Sequence, residues 1–423
     1  MQFKFDESGL LKHGLIMTVS MAIARFFGYL FHIYVARALG PDDYGVFGSL
    51  FAFFMILAVP ITGTIQTVIS RYTSDYKIEE NYPQIKDLII ISFKKLSKLG
   101  LLGFIIIAII SFPFSMFLKL PSPFLIILIG IAVLLIFIVP IFRGILQGLQ
   151  NFKWLALNNI LETFFKFIFG LLLISLGFGL NGAIFAFSLS YLSVLLISMI
   201  PISFVIKGKT KNKNTFPGIY EYGYVVLLIT GVMTIFQNID VILVKHYFSS
   251  YETGLYSAAS NVGKTILFLG SGISLTIFPK ISEESNNKNS FNILKKGMVI
   301  SFSLSLAFVL TCLVYKEKII SILYGDNYIE SAVLLPYFAI AMSFLFFTSI
   351  ILSFLLATKK YRFFFPLLIM PVIEIIMILV FHNTLMSVLF ILNIINAIVF
   401  FISLVILIRN NLMLFDNYKK NIN

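Results

Sequence analysis

Six ionisable side chains stand inside long apolar runs of the sequence: Arg25, Glu162, Lys166, Asp240, Lys264 and Glu374. A charge at the centre of a membrane helix costs about 2.5–3.5 kcal/mol on insertion scales, so such residues are functional candidates by default. The cations suit one chemistry. Guanidinium and ammonium groups pair strongly with phosphate oxygens, which makes Arg25, Lys166 and Lys264 candidate contacts for an anionic headgroup. The carboxylates Glu162, Asp240 and Glu374 suit two: pairing with a neighbouring cation, or taking up H+ or Na+ for ion coupling. Glu162 and Lys166 are four residues apart, share a helix face and can neutralise each other. Asp240 and Lys264 are each 12 residues from Glu252 in the turn between them, hence at matching depth on neighbouring helices. Arg25 and Glu374 have no local partner in the sequence. Arg25 lies roughly 20 Å beyond Lys12 at 1.5 Å per residue, and Lys166 is similarly deep in its own helix, so the two are expected to line one cavity.

Other chemistries lack their residues. Ala258-Ala259-Ser260-Asn261-Val262-Gly263-Lys264-Thr265 resembles a phosphate-binding loop, but Ala258 replaces the first glycine and no soluble strand precedes it. Nucleotide is therefore not an expected ligand. Asp42-Asp43, after Gly40-Pro41, reads as a turn and helix N-cap. The other outer loops are too short to carry the catalytic carboxylates of a membrane enzyme; the longest is about 316–331. His13, His32, His246 and His382 are scattered, so no metal site is expected, and the single cysteine, Cys312, excludes an intrachain disulfide. No cofactor is implied.

The elements that must position these charges are membrane helices. Hydrophobic residues make up 59% of the chain and charged residues 12%, with a mean hydropathy of +0.97. A soluble domain carries roughly twice that charge. Runs long enough to span a bilayer cover Leu15–Val35, Val46–Ile69, Leu99–Leu118, Phe124–Leu149, Trp154–Phe178 and Ala183–Ile206. After a basic, flexible break come Tyr224–Tyr247, Leu255–Phe278, Met298–Tyr315, Ala332–Ala357, Phe363–Phe381 and Leu385–Ile408. The first run is too long for a cleavable signal peptide and lacks its small-residue cleavage site. The expected protein is all-α, with about twelve transmembrane helices in two lobes: residues 1–206, a cytoplasmic linker at 207–217, and residues 218–423.

The net charge of +13 belongs to topology rather than to nucleic acid. Of the 32 Lys and Arg, 24 fall on the termini and the loops after even-numbered runs; five fall on the opposite loops. Cations concentrate on the cytoplasmic side, which places both termini there. The lobes also read as copies. At a shift of 209 residues, Gly45-Val46-Phe47 meets Gly254-Leu255-Tyr256, Arg71 meets Lys280, and Gln150-Asn151-Phe152-Lys153 meets Lys359-Lys360-Tyr361-Arg362. Six helices return the chain to its starting side, so the repeats are parallel, related by a pseudo-two-fold axis along the membrane normal. In transporters that symmetry places the substrate path between the repeats.

Three stretches carry a resemblance. Ala24-Arg25-Phe26-Phe27-Gly28 followed by Ala36-Arg37-Ala38-Leu39-Gly40-Pro41-Asp42-Asp43-Tyr44-Gly45 resembles the opening of polysaccharide-biosynthesis flippases. Asp240 to Val244 with Gly254 to Ala259 is similar to the seventh-to-eighth helix signature of that family, and Pro279-Lys280-Ile281-Ser282 to the end of its eighth helix. These are Wzx-like members of the multidrug/oligosaccharidyl-lipid/polysaccharide exporter superfamily. The resemblance implies a cell-membrane flippase rather than an enzyme. Its cargo would be a polyprenyl-phosphate- or diphosphate-linked oligosaccharide, moved from the inner to the outer leaflet by alternating access. A cation-coupled drug antiporter of the same superfamily is the alternative, and a membrane enzyme of cell-envelope assembly the second. Implied partners are the lipid-linked oligosaccharide, membrane lipids, and H+ or Na+.

Overall fold

The computed structural model describes residues 7–206, 210, 219–267, 288–357 and 364–420. Among them the chain is helical, with no strand. Helix α1 (Glu7–Ile78) contains both of the first two expected runs as arms on either side of Gly40, where φ is 78° and ψ 175°. Glycine alone adopts that backbone without strain. Pro41 opens the second arm, at a position where its missing N–H has no intrahelical partner to lose. Asp42 and Asp43 sit inside the first turn of that arm rather than at its cap. There their charge complements the positive end of the helix.

The chain continues through α2 (Tyr82–Phe117), α3 (Phe124–Ile136), α4 (Val139–Gly148) and α5 (Phe152–Leu173). A π-helical turn (Ile174–Phe178) leads to α6 (Gly179–Met199) and the short α7 (Ser203–Ile206). The single expected run at 124–149 is thus two helices, broken at Phe137 and Ile138 just ahead of Pro140, whose ring removes a donor from the first turn of α4.

Next come α8 (Ile219–Tyr247), α9 (Ser250–Gly263) and α10 (Lys288–Val314). The stretch expected as the longest outer loop forms α11 (Lys316–Tyr324) and a 3-10 turn (Asp326–Val333). The last helices are α12 (Leu335–Ala357), α13 (Phe364–Val380) and α14 (Leu385–Lys420).

Eight helical stretches of the described residues are long and apolar enough to cross a membrane. Two of them, His13–Ile78 and Phe152–Met199, have 66 and 48 residues. Each is enough for two crossings of roughly 20 residues. Leu367–Val380 adds a shorter apolar helix. The expected run at 255–278 is described only as far as residue 267, and the basic matches at Lys280 and 359–362 lie outside the described residues. So does the signature at 279–282.

By internal contacts the chain divides into two compact units, Met1–Asn238 and Ile239–Asn423. That division falls within α8. The linker expected at 207–217 lies, apart from residue 210, outside the described residues.

Packing in the first unit turns on two glycines of α4, separated by three residues. A Cβ on Gly144 would stand 2.8 Å from the Gln66 carbonyl oxygen, and one on Gly148 would stand 2.6 Å from that of Ser70. Lipid tails are as apolar as leucine, so helices in a bilayer associate through this kind of close backbone approach rather than through hydrophobicity. The seam is closed by Gln66 Nε2 donating to Gln147 Oε1 (2.8 Å) and Lys77 Nζ donating to the Leu149 carbonyl (3.0 Å). Ile69, Ile85, Leu88, Ile141, Phe142 and Ile145 fill the core around it. The result fixes α4 in place, and Arg143 is the residue immediately before Gly144. In the second unit a reciprocal capping box sets the α8–α9 turn. The Glu252 amide donates to Ser249 Oγ (3.2 Å), and the Ser249 amide donates to Glu252 Oε2 (3.0 Å).

Candidate functional site

Among the described residues, each unit holds a buried group of charges that joins side chains from more than one helix. In the first unit, Glu162 of α5 is the centre. Its Oε2 lies 2.8 Å from Nη1 of Arg143 on α4, and its Oε1 lies 3.7 Å from Nζ of Lys166, one turn further along α5. A side-chain hydrogen bond joins it to Tyr191 of α6. The side chains of Arg143, Glu162 and Lys166 are 10%, 13% and 8% exposed, so all three are withdrawn from solvent.

Arg143 is held from a second direction. Its Nε donates to Asn158 Oδ1 at 2.6 Å and its Nη2 to the Asn158 carbonyl at 3.4 Å. Asn158 Nδ2 in turn donates to the Val194 carbonyl (3.1 Å) and to Ser198 Oγ (2.7 Å) on α6. Lys166 Nζ also sits 5.2 Å from the centroid of the Phe187 ring, within cation–π range. The group thus carries two cations against one carboxylate.

In the second unit the balance is reversed. Asp240 of α8 accepts a hydrogen bond from the Tyr256 hydroxyl of α9 at 2.9 Å. Tyr256 packs edge-on against Phe338 of α12, with centroids 4.8 Å apart. Asp240, Lys264 and Glu374 of α13 act on one another electrostatically. Asp240 and Glu374 are fully buried. Asp240 Oδ1 and both Glu374 oxygens have no hydrogen-bond donor among the described residues. Here two carboxylates face one cation.

Five of the six sequence-selected charges therefore fall into these two groups. Arg25 does not stand alone as the sequence suggested: Tyr29, one turn along the half-buried first arm of α1, is within electrostatic reach. Four members were missed. Arg143 is inside the fourth apolar run, but counting cations by loop assigned it to the cytoplasmic side. Asn158 left a readable signal, because Asn158, Glu162 and Lys166 recur every four residues and so share one face of α5. Tyr191 and Tyr256 left none, since their hydroxyls matter only through tertiary contacts.

The other singled-out residues take structural places. Ala258 to Gly263 form regular helix within α9, with Ala258 and Ala259 fully buried, so their amides serve the helix ladder. His32 packs edge-on to Phe51 at 4.5 Å, and the ring of His382 stacks on Tyr247 at 3.6 Å. Among the described residues no three His, Cys, Asp or Glu side chains converge as a metal site.

The sequence profile of a family described as polysaccharide biosynthesis protein matches residues 10–283. An uncharacterised membrane protein of Methanocaldococcus jannaschii is 26% identical over 326 residues, covering 73% of this chain and 75% of that protein. Among solved structures, an inward-facing multidrug resistance MATE family transporter of the MOP superfamily superposes with a TM-score of 0.76. It is 15% identical, over 93% of this chain and 96% of its own. The lipid II flippase MurJ in an inward closed conformation gives 0.73 at 17% identity, over 96% and 93%. A MOP superfamily transporter from Pyrococcus furiosus, described as having a binding pocket of reversed polarity, gives 0.66 at 15% identity, over 96% of both chains. At these identities the likeness is one of fold: a two-lobed, all-helical membrane transporter architecture.

Proposed function

The chain belongs to the polysaccharide biosynthesis protein family, and from that premise we propose that it is a flippase rather than an enzyme. Its cargo is a polyprenyl-phosphate- or diphosphate-linked oligosaccharide, carried from the cytoplasmic to the outer leaflet of the cell membrane. The observation that carries this reading is the pair of buried cations, Arg143 and Lys166, that share one carboxylate in the first unit. A phosphate headgroup cannot enter hydrocarbon without fixed positive charge to replace its hydration. The first unit offers Arg25, Arg143 and Lys166 for that purpose, and the second offers Lys264. In this reading both termini are cytoplasmic.

The carboxylates of the second unit favour a second reading, a cation-coupled drug antiporter. Asp240 and Glu374 are buried oxygen ligands of the sort that take up H+ or Na+, and the fold is shared by exporters and flippases alike. In the flippase reading the same pair supplies ion coupling. The two readings part on cargo.

Reconstitution in proteoliposomes separates them. A fluorescent lipid-linked oligosaccharide loaded in one leaflet should become accessible to a membrane-impermeant quencher on the other side only when the protein is present. Cationic dyes should not be expelled. Dye efflux without glycolipid translocation would replace the flippase with the antiporter.

A further inference from the structure

We propose that Glu162 is a built-in counter-anion, holding the place of the cargo's phosphate between Arg143 and Lys166 and giving it up when the phosphate arrives. The inference rests on the flippase reading and adds how the site binds its headgroup without trapping it.

The argument is an asymmetry in who holds whom. Arg143 is braced by Asn158, through Nε at 2.6 Å and Nη2 at 3.4 Å, and Asn158 is anchored to α6 at the Val194 carbonyl and Ser198 Oγ. Lys166 has the Phe187 ring beneath its ammonium, 5.2 Å from the centroid. Both cations therefore keep a support that does not involve Glu162. The contacts of Glu162 among the described residues are the two cations and the Tyr191 hydroxyl. Remove the carboxylate and the cations stay aimed; remove Arg143 and the carboxylate keeps only the longer contact to Lys166 and the Tyr191 hydroxyl. Glu162 is the replaceable member.

Its grip is also uneven. Oε2 makes a charge-assisted hydrogen bond to Arg143 at 2.8 Å, but Oε1 stands 3.7 Å from Lys166, beyond hydrogen-bond length. A phosphate, with more oxygens, can satisfy both cations at once. Exchanging one anion for another leaves no cation buried and unpaired at either end of the step, which removes the largest penalty a buried charge site carries. When the phosphate leaves, Glu162 returns. Two uncompensated cations would hold the headgroup far longer.

The test compares the full chain with E162Q in lipid nanodiscs, using polyprenyl monophosphate as the binding probe, and measures glycolipid translocation in proteoliposomes. The amide introduced by E162Q keeps the shape and can still accept from Tyr191 but offers the cations only a neutral, weaker acceptor. Loss of a charge-assisted competitor should tighten probe binding roughly tenfold or more. Turnover should fall, so KM and kcat drop together. The probe should raise the melting temperature of E162Q more than that of the wild type. Equal affinities in the two proteins would overturn the proposal. Should E162Q fail to accumulate, E162D serves instead: its shorter carboxylate cannot bridge both cations and should show the same tightening in smaller measure, and unchanged affinity there is equally fatal. A wild type that neither binds nor translocates would sink the flippase reading and this inference with it. A wild type that does both, beside an E162Q of unaltered affinity, sinks only the displacement.

Discussion

The Arg143 guanidinium and the Glu162 carboxylate meet 2.8 Å apart across the α4–α5 interface, and neither is where an isolated charge would be tolerated. Their side chains are 10% and 13% exposed. The glycine seam that presses α4 against α1 fixes one partner, while the polar stripe of α5 supplies the other.

Breaking that pair from one side should be costly. In R143Q the carboxylate keeps only Lys166, at 3.7 Å, and the Tyr191 hydroxyl, and Asn158 Oδ1 loses the donor at 2.6 Å. Removing one partner of a buried ion pair costs about 3–5 kcal/mol. Thermal unfolding in nanodiscs should show R143Q well below the wild type. The double variant R143Q/E162Q should recover much of the loss, because it buries no unmatched anion. Simple addition of the two single losses would mean that the residues are not energetically coupled.

The second unit offers a test of role rather than of stability. Tyr256→Phe strips Asp240 of its 2.9 Å hydrogen bond. A bond to a charged group is worth about 1.5–3 kcal/mol, so a lower melting temperature is expected. Exchanging charges in D240K/K264D preserves the net charge of the Asp240, Lys264 and Glu374 group. If Lys264 contacts cargo, the exchanged protein should regain abundance over either single variant without regaining translocation. Recovered translocation would make the pair structural.

Orientation is open to a direct check. Reporter fusions placed in the basic stretch 207–217 and after Asn423 should both report the cytoplasm, as the distribution of Lys and Arg demands. An external signal from either fusion would invert or break the proposed topology.

What the sequence disclosed, and what it hid, follows from range. Helices were legible because a bilayer forces about 20 apolar residues into each crossing, and Leu99–Leu118 or Leu385–Ile408 can hardly be read otherwise. Helix junctions were less so. The Gly40-Pro41 bend was visible as punctuation, but the break at Phe137 and Ile138 carries only apolar residues and is marked by Pro140 alone. Glu162 and Lys166 were legible as neighbours because four residues on a helix make one face. Arg143 was not, since nothing along the chain says that a residue 19 positions upstream returns to the same carboxylate. A rule that counts cations by loop also absorbs a buried arginine near a helix end. Tyr191 and Tyr256 are ordinary aromatic residues of apolar helices until the fold brings a carboxylate to each.

The remaining prediction concerns Arg25. Its sequence motive was the lack of any local partner, and the structure supplies Tyr29 one turn away on α1. A phenol is a neutral neighbour, so it can orient the guanidinium without cancelling its charge. The first arm of α1 is anchored to α5 below this point by Phe27, which packs edge-on to Phe164 at 5.1 Å. Truncating Arg25 leaves that ring contact in place. Arg25→Ala should accumulate in the membrane at wild-type level, fail to translocate the glycolipid, and bind polyprenyl monophosphate more weakly. Arg25→Lys should keep part of the activity, because the charge survives while the planar, two-pronged donor geometry is lost. Tyr29→Phe separates orientation from charge: it should raise KM modestly and leave abundance unchanged. Normal translocation by Arg25→Ala, or a failure traced entirely to degradation of the protein, would make Arg25 a packing residue and leave the phosphate to Arg143 and Lys166.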